Sequence, residues 1–428
     1  SGLHFGLITG LVFFIARAGL SAIPQLALKY PIKPCAAVFA WIAALAYLNI
    51  SGAPIPAQRA FIMTTLILLA LVLGRQAISL RLVAFAAFCV LLISPSALLA
   101  VGFQMSFAAV VALISAYEAV RTRWQNWREN HNHSLGRVAL YFCGIAFSSV
   151  VAEIAIDPIA AYHFNRVAAY GLAANMLAVP ITSFWIMPAG LLAFVLMPFN
   201  LDGMAFNIMG QGLDVLTKVA QTTAESPGAV LNVPALPLTA LIFFVFGGLW
   251  FCLWRGRVRY LGVFATLPII ISIWLQPRPD ILVSHDGKML ALPQSDGGII
   301  MSTKRGNGLT KNSWSRLWGQ GQYHYWKDEI LFMERTALNC DFTGCSLKIP
   351  TKQNSLNISY LNRLDGFADD CLWADIIIAP HHDLPKCNRD IIVIGSDFLS
   401  LNGSVAIYNA QNGIKVVTAN QKLSLIHI

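Results

Sequence analysis

Charged side chains are scarce in this sequence: they make up 12% of its 428 residues, against roughly a quarter in an average soluble domain. Apolar residues make up 56% of the chain, and the mean hydropathy is +0.61. A soluble chain of this length could not cover its surface with so little charge. The composition therefore excludes a disordered chain, a collagen, a small disulfide scaffold and an ordinary cytosolic enzyme, and it predicts an integral membrane protein.

The scarcity of charge is confined to one part of the chain. Residues 1–277 contain 15 Lys and Arg and 7 Asp and Glu, whereas residues 278–428 contain 15 and 14. The second part has the charge density of a soluble domain and is long enough for its own core. We predict an α-helical polytopic membrane bundle over 1–277, followed by a β-rich α/β soluble domain over 278–428.

Long apolar runs indicate the membrane-spanning helices, because a spanning helix needs about 20 mostly apolar residues. We expect about 8–10 membrane segments in the first part. The candidate runs are 5–23, 35–50, 57–74, 79–93, 99–118, 138–160, 170–197, 236–254 and 260–276.

Two segments are ambiguous. The run 170–197 contains Pro180 and Pro188, which predict a kinked or broken helix of the kind that lines a cavity. The stretch 203–224 mixes apolar and polar residues, which is more typical of an interfacial amphipathic helix than of a span. A crossing at 203–224 would nevertheless restore the alternation of the spans, and the sequence leaves both alternatives open.

Lys and Arg residues in the loops predict the orientation of the bundle, because cytoplasmic loops are enriched in these residues. With these loops inside, the chain starts outside and the domain after residue 277 is extracytoplasmic. The residues that set this orientation are Lys29, Lys33, Arg75, Arg81, Arg121, Arg123, Arg128, Arg137, Arg255, Arg257 and Arg259.

Strongly polar residues within the spans then fall in the outer half of the bundle. Any one of them could cap a helix or join two helices by a hydrogen bond, but their clustering favours a polar, outward-facing vestibule. Glu153 and Asp157 are candidates for a structural role. The candidates for lining the vestibule are His4, Gln58, Arg59, Gln104, Ser106 and Asn175.

Four short motifs occur in order within the first 190 residues. These motifs resemble those of the ComEC family of competence proteins. They are SGLHFG at 1–6, GAP at 52–54 followed by QRAFIM at 58–63, GFQMSF at 102–107 preceded by Ser94-Pro95, and ANMLAVP at 174–180.

The resemblance implies a channel in the bacterial inner (plasma) membrane that imports single-stranded DNA during natural transformation. It implies single-stranded DNA and the lipid bilayer as partners, with a DNA-delivery receptor and a cytoplasmic motor as further candidates, and no cofactor. Family members usually carry an OB-like domain before the first motif, so the chain is expected to be truncated at its N-terminus. The alternatives are a membrane-bound metallo-hydrolase or nuclease acting through the C-terminal domain, and a permease for another solute.

The C-terminal part resembles the metallo-β-lactamase-like domain that ends many family members. That fold takes most of its metal ligands from an HxHxDH motif, which does not occur in this sequence. His381 and His382 are weak metal-ligand candidates and could not build the centre alone. We therefore predict a degenerate domain with no catalytic residues and a polar loop over 303–325. The β-like runs are 280–283, 329–332, 374–379, 390–394 and 404–408.

Eight cysteines divide evenly between the two parts. If the C-terminal part is extracytoplasmic, its four cysteines can form two disulfides, in any of three pairings. We favour Cys340 with Cys345 and Cys371 with Cys387. A four-cysteine zinc site is the rival interpretation, although the spacing lacks a C-x-x-C pair.

Overall fold

The protein is described from a computed structural model. The structure describes residues 2–75, 78–130, 134–275, 277–293, 298–305, 308–319, 323–326, 337–350, 355–382, 384–385, 387, 389, 391–410 and 413–419. These residues form two compact units. The helical unit comprises the chain up to Leu231 and Leu238–Ile270, and the sheet unit comprises Asn232–Pro237 and the chain from Ile271 onward.

Helices make up nearly all of the first unit. A short β1–β2 pair joins the segment after α7 to the segment after α10. The elements are α1 (Gly2–Ala22), α2 (Pro24–Lys29), α3 (Ile32–Ile50), α4 (Ile55–Val72), α5 (Leu80–Ile93), α6 (Val101–Asn130), α7 (Ser134–Phe164), β1 (Arg166–Ala168), α8 (Gly171–Ile181), α9 (Met187–Leu196), α10 (Asp202–Glu225), β2 (Val230–Asn232), α11 (Leu238–Leu253) and α12 (Leu261–Leu275).

Six helices in the described part of the chain are long and apolar enough to cross a membrane. Together with the sheets that follow, they confirm the predicted fold class, a polytopic helical bundle followed by a β-rich unit. The expected total of about 8–10 segments stays a prediction. The six are His4–Ala22, Ile32–Ile50, Ile55–Val72, Val101–Glu129, Ser134–Phe164 and Gly171–Phe199; Leu80–Ile93 and Leu238–Leu253 are shorter apolar helices.

Small side chains allow the first helices to pack closely. In a bilayer the hydrophobic effect does not drive helices together, so close van der Waals packing has to hold them. α3 contacts both α1 and α4, and Leu68 of α4 and Phe13 of α1 pack against its buried face. That face consists of Ala36, Ala37, Ala40 and Ala44.

The helix predicted over 170–197 is interrupted, as its prolines indicate. α8 contains Pro180, a π-helical turn follows over Thr182–Ile186, and Pro188 stands at the start of α9. Proline lacks the backbone N–H that continues a helix, and single π-helical turns are frequent at such breaks. We refer to Gly171–Phe199 as the interrupted helix.

α10 packs along the interrupted helix in the antiparallel direction. Gly190 faces Met209, and further along Gly212 faces Ile186; a Cβ on either glycine would lie 3.2 Å or 2.9 Å from the facing side chain. Because these pairs run in opposite directions along the two helices, α10 returns the chain to the end where α8 begins. The stretch 203–224 therefore forms a helix that packs along a candidate span, and both alternatives for it, a crossing and an interfacial position, stay predictions.

Two sheets form the second unit. Their strand orders are β13-β12-β3-β4-β5-β6 and β11-β10-β9-β8-β7. Within the second sheet, β10 runs parallel to both β9 and β11. The elements are β3 (Ile281–Val283), β4 (Leu290–Pro293), β5 (Ile299–Met301), α13 (Gly308–Leu317), β6 (His324–Tyr325), β7 (Ala337–Cys340), β8 (Gly344–Pro350), β9 (Ser355–Leu361), α14 (Phe367–Trp373), β10 (Ile376–Ala379), β11 (Ile392–Gly395), α15 (Ser396–Asn402), β12 (Val405–Ala410) and β13 (Gly413–Thr418).

The two sheets pack face to face around one apolar core. Val283 of the first sheet and Ile358 and Ile376 of the second are fully buried in the same cluster. Trp314 beside the outer face of the first sheet and Phe367 beside the outer face of the second complete a helix–sheet–sheet–helix order. Burial of both faces explains why these strands read as continuous apolar runs rather than as alternating ones.

Most of the expected strands occur, and one expected loop does not. β3, β10, β11 and β12 correspond to the runs 280–283, 374–379, 390–394 and 404–408. The run 329–332 lies outside the described residues. The segment 303–325 is not a continuous loop, because its middle forms α13, whose Trp314 and Leu317 supply the apolar face that packs on the sheet.

Candidate functional site

The polar side chains of the helical unit meet where several helices begin or end. Phe5 near the start of α1 packs against Ala44 near the end of α3 and Ala57 at the start of α4. On the other side of the bundle, the Tyr170 hydroxyl before α8 donates to the Pro227 carbonyl after α10, at 2.9 Å. The first contact joins the start of α1, the end of α3 and the start of α4, and the second joins the start of α8 to the end of α10. The approach of Arg59 to Gly102 and of Gln104 to His163 places both groups at one end of the bundle.

We call the group formed by Arg59, Gln104, Glu153 and His163 the polar mouth. These residues lie at the start of α4, at the start of α6 and in the second half of α7. Their helices alternate in direction, so the starts of odd-numbered apolar runs lie at the same end as the ends of even-numbered ones. The clustering expected from the sequence thus has a simple geometric origin in antiparallel connectivity.

Arg59 is the most buried member of the polar mouth, with 8% of its surface exposed. Its Nε atom is buried without a hydrogen-bond partner, and no ion pair or hydrogen bond joins its side chain to another described residue. A Cβ added to Gly102 would lie 2.9 Å from Nη2 and 3.1 Å from Nη1. Only glycine at this position lets the guanidinium lie against the first turn of α6.

An apolar anchor holds the first turn of α6 in place. Phe103 and Phe107 are buried with ring centroids 4.4 Å apart. Both rings belong to a cluster with Val83, Ala86 and Val90 of α5. The packing of the two phenylalanines against α5 fixes the rotation of α6 about its axis. In this rotation Gly102 lies next to the Arg59 guanidinium.

Gln104 bridges α6 and α7. Its Nε2 donates to the Leu98 carbonyl at 3.1 Å, and its Oε1 lies 2.9 Å from Nε2 of His163. The second contact is a hydrogen bond when His163 carries its proton on Nε2. His163 is absent from the candidates chosen by sequence, although it ends α7 in the same outer layer and could have been found by that criterion.

The two carboxylates of α7 do not neutralise the arginine. Glu153 lies against Gly171 at the start of α8, and its Oε1 atom is buried without a partner. Within the described residues no ion pair joins Glu153 or Asp157 to Arg59 or to Arg166. The polar mouth therefore contains a cation and a carboxylate that are held apart by the helix packing.

The remaining vestibule candidates occupy more peripheral positions. His4 and Gln58 are exposed, and Gln58 folds back so that its Nε2 donates to the Ala53 carbonyl at 2.8 Å. Ser106 on α6 and Asn175 on α8 are half-buried. No hydrogen bond in the described part of the chain joins these four side chains to Arg59.

In the sheet unit, the two histidines follow β10 at the carboxyl end of the parallel strands. His381 is exposed, and His382 is half-buried with Nε2 3.4 Å from the Asn362 carbonyl oxygen. Among the residues that the structure describes, no group of three His, Cys, Asp or Glu side chains is arranged to hold a metal ion. The four cysteines are paired as Cys340–Cys345 and Cys371–Cys387, which are the pairs favoured from the sequence.

A tight turn between β3 and β4 carries a perturbed carboxylate. Burial alone would raise the pKa of Asp286, but hydrogen bonds from the Ser284 hydroxyl at 2.5 Å and the Lys288 amide at 3.3 Å lower this pKa below its ordinary value. Burial also raises the pKa of Tyr360 to about 12, with Asp286 nearby as a second cause. Gly287 has φ +65°, and a Cβ there would collide with Pro380, so this turn requires glycine.

Comparison with known proteins decides the family. A sequence model described as "Competence protein" matches residues 1–258, which include every member of the polar mouth. The chain belongs to this competence protein family. The match confirms the resemblance expected from the motifs and, with the six apolar helices, establishes a multi-pass membrane protein of the competence family. The lactamase-like interpretation concerns residues 278–428, which lie beyond the matched residues, and it stays a prediction.

Two curated proteins are similar to this competence protein. ComE operon protein 3 of Bacillus subtilis is 26% identical over 204 residues, which cover 47% of this chain and 23% of that protein. Recombination protein 2 of Haemophilus influenzae is 28% identical over 250 residues, which cover 58% of this chain and 30% of that protein. The chain thus matches less than a third of the length of either relative. No solved structure gives a significant match.

Proposed function

We propose that this protein is the channel that imports single-stranded DNA across the bacterial inner membrane during natural transformation. The polar mouth receives the strand on the outer side, and the basic loops lie in the cytoplasm. A DNA-delivery receptor would supply the strand and a cytoplasmic motor would pull it. Membership of the competence family supports the role in competence, and the geometry around Arg59 supports the cargo.

The observation that carries the proposal is the unpaired charge of Arg59. Arg59 has 8% of its surface exposed, and its guanidinium lies beside the first turn of α6 without a carboxylate partner among the described residues. A helix N-terminus has a partial positive charge, so it adds to the cost of leaving this cation unpaired. An anion at the mouth would lower the electrostatic cost of both the unpaired guanidinium and the helix N-terminus. A phosphodiester of the DNA backbone has the negative charge and the acceptor oxygens that an arginine binds best.

Basic residues at the opposite end of the bundle support the outward orientation of the mouth. Arg255 after α11 forms an ion pair with Glu118 of α6 at 3.5 Å, so these two segments meet at the same end. Arg121 and Arg123 follow on α6, one turn beyond Glu118. The positive-inside rule assigns this end to the cytoplasm. The sheet unit then lies outside, where its two disulfides would be stable.

For the sheet unit we propose a degenerate lactamase-like domain that does not cleave DNA by a metal mechanism. The missing HxHxDH motif supports this, since His381 and His382 leave a two-metal centre without most of its ligands. Purified full-length protein should then degrade labelled DNA no faster with Zn²⁺ or Mn²⁺ than with a chelator. Metal-dependent cleavage that is lost in His382→Ala would refute this part of the proposal.

The test of the channel is complementation of a deletion strain, with import measured as labelled DNA that becomes resistant to external nuclease. A charged hydrogen bond contributes about 1.5–3 kcal/mol, so Arg59→Ala should lower import about tenfold or more. Arg59→Lys should retain part of it, because the charge remains while the planar fork is lost. Gln104→Ala should also lower import, since it removes the bridge to His163.

The matched control is Arg123→Ala, which removes an exposed arginine at the other end of the bundle. It should leave import through the mouth unchanged, provided that membrane insertion is normal by immunoblot. Normal import by Arg59→Ala at equal protein level, or normal import in a strain that lacks the whole membrane part, would contradict the proposal.

A further inference from the structure

One face of α10 carries a continuous line of polar side chains. The spacing of three or four residues places its members on a single face of the helix, one turn after another. All of them are exposed, so no other part of the described chain covers them. We call this line the α10 stripe; it consists of Asn207, Gln211, Asp214, Lys218, Gln221 and Glu225.

The opposite face of α10 is the one that packs on the bundle. Ala205 and Gly212 are buried there, and a Cβ on Gly212 would lie only 2.9 Å from Ile186 and 3.1 Å from Trp185. The Trp185 indole also donates to the Ile208 carbonyl at 2.9 Å. These contacts fix the rotation of α10, so the stripe points away from the interrupted helix.

The packing of α10 along a candidate span indicates that the stripe lies at membrane depth. α10 runs antiparallel beside Gly171–Phe199, one of the six candidate spans, and its 24 residues correspond to about 36 Å. Asp214 is the thirteenth residue of α10 and therefore lies near its middle. Within the described residues neither Asp214 nor Lys218 has an ion-pair or side-chain hydrogen-bond partner.

Lipid is a poor environment for this face. Ionised side chains at the centre of a bilayer are costly, and they almost always face the bundle interior or a water-filled cavity. Small residues beside the stripe, Gly203 and Gly210, leave room next to it, since nothing lies within 4 Å of the Cβ position at either glycine. The stripe is not covered by other described residues along its whole length. Contact with a column of water is therefore more favourable for it than contact with acyl chains.

We propose that the α10 stripe forms part of the wall of a water-filled path across the membrane. The stripe alternates amide and charged groups of both signs, Asp214 and Lys218 being one turn apart. Such a wall can hydrogen-bond a passing polar strand without holding it at one strongly charged point. The inference deepens the proposed transport function by naming a wall of the path, but it does not depend on the identity of the cargo.

The test is the reaction of single cysteines with a charged, membrane-impermeant thiol reagent in the full-length protein. Cys35, Cys89, Cys143 and Cys252 are first replaced by alanine, which leaves the four paired cysteines of the sheet unit. Stripe variants are Asn207→Cys, Gln211→Cys, Lys218→Cys and Gln221→Cys. Matched controls are Phe206→Cys and Leu213→Cys, which are exposed on the same helix but on its apolar flanks.

The stripe cysteines should react about tenfold faster than the flank cysteines, because the reactive thiolate forms in water and not in hydrocarbon. Asn207→Cys and Gln221→Cys, about 21 Å apart along the helix, should be blocked first by reagent added from opposite sides of the membrane. Folding of each variant is checked by size-exclusion chromatography in detergent, and any three folded stripe variants suffice for the comparison.

Equal, slow reaction of stripe and flank cysteines would overturn the proposal, because the stripe would then be sealed from water. Oxidant-induced dimers of Gln211→Cys together with slow labelling would overturn it in favour of an interface with a second copy. Labelling of all positions from one side would place α10 at the membrane surface. None of these readouts uses DNA import. If the stripe cysteines react quickly but the import tests fail, the proposed DNA cargo is refuted while the water-filled path stands.

Discussion

Replacing Gly102 by alanine tests whether the position of the Arg59 guanidinium, and not only its charge, matters. The new Cβ would lie 2.9 Å from Nη2 and 3.1 Å from Nη1, against about 3.5 Å for a relaxed contact. The guanidinium must therefore retreat by roughly 0.5 Å or turn away from the first turn of α6. Overpacking of this kind costs about 1–3 kcal/mol, and alanine returns up to about 1 kcal/mol of helix stability.

The free energy of unfolding should therefore change little, by about 0–2 kcal/mol, while DNA import falls about 5- to 10-fold because the charged contact is misplaced. Import is measured by nuclease protection and stability by thermal unfolding in detergent. Gly144→Ala is the matched control, since its Cβ would lie at an ordinary 3.7 Å from Trp124. In the Arg59→Ala background, Gly102→Ala should cause no further loss of import, because the group it displaces is gone. Full import by Gly102→Ala, or an additive loss in the double variant, would refute the reasoning.

Three further predictions concern stability. Loss of the Cys371–Cys387 bridge, which closes 16 residues, should cost about 3 kcal/mol, and mass spectrometry without reductant should find the intact crosslink; four free thiols would contradict it. The lowered pKa of Asp286 stabilises the folded state above the ordinary carboxyl pKa, and this contribution is lost as the pH falls below about 4. Asp286→Asn should therefore flatten the acid limb of the stability–pH curve, and an unchanged limb would argue against the hydrogen bonds of the turn. Gly247→Ala should destabilise by about 1–3 kcal/mol, since its Cβ would lie 2.6 Å from the Gly262 carbonyl oxygen; unchanged thermal unfolding would show that the helices are not so close.

The polar mouth arises from connectivity that the sequence already contains. Once the apolar runs are taken to alternate in direction, Gln58, Arg59, Gln104 and Ser106 at helix starts must share one end with residues near the end of α7. The same criterion covers His163, which the choice of motif residues omitted. Which of these side chains touch could not be predicted in this way, because it depends on the rotation of each helix about its axis.

Tertiary contacts also decided the course of α10. Its sequence alone is compatible with an interfacial helix, since the polar residues between Asn207 and Glu225 lower its hydropathy below that of the six candidate spans. Packing of Gly212 against Ile186 and Trp185 aligns the helix along a candidate span, while its crossing of the membrane stays a prediction. The contact joins two helices that are connected by the turn around Asn200. It is possible because glycine has no side chain at the point of contact, and a hydropathy pattern does not show such a close approach.

The scarcity of charge in the first 277 residues, with the order of four motifs, was enough to determine a multi-pass membrane protein and its family. The membrane class and the family follow from composition and from the order of short motifs, so they can be predicted without knowing how the helices pack. The pairing of Arg59 with Gly102, the bridge from Gln104 to His163 and the rotation of α10 were decided only by the tertiary structure. Each of them joins separate helices, and side-chain contact between helices depends on interhelical distance and rotation, which the spacing of residues within one helix does not encode.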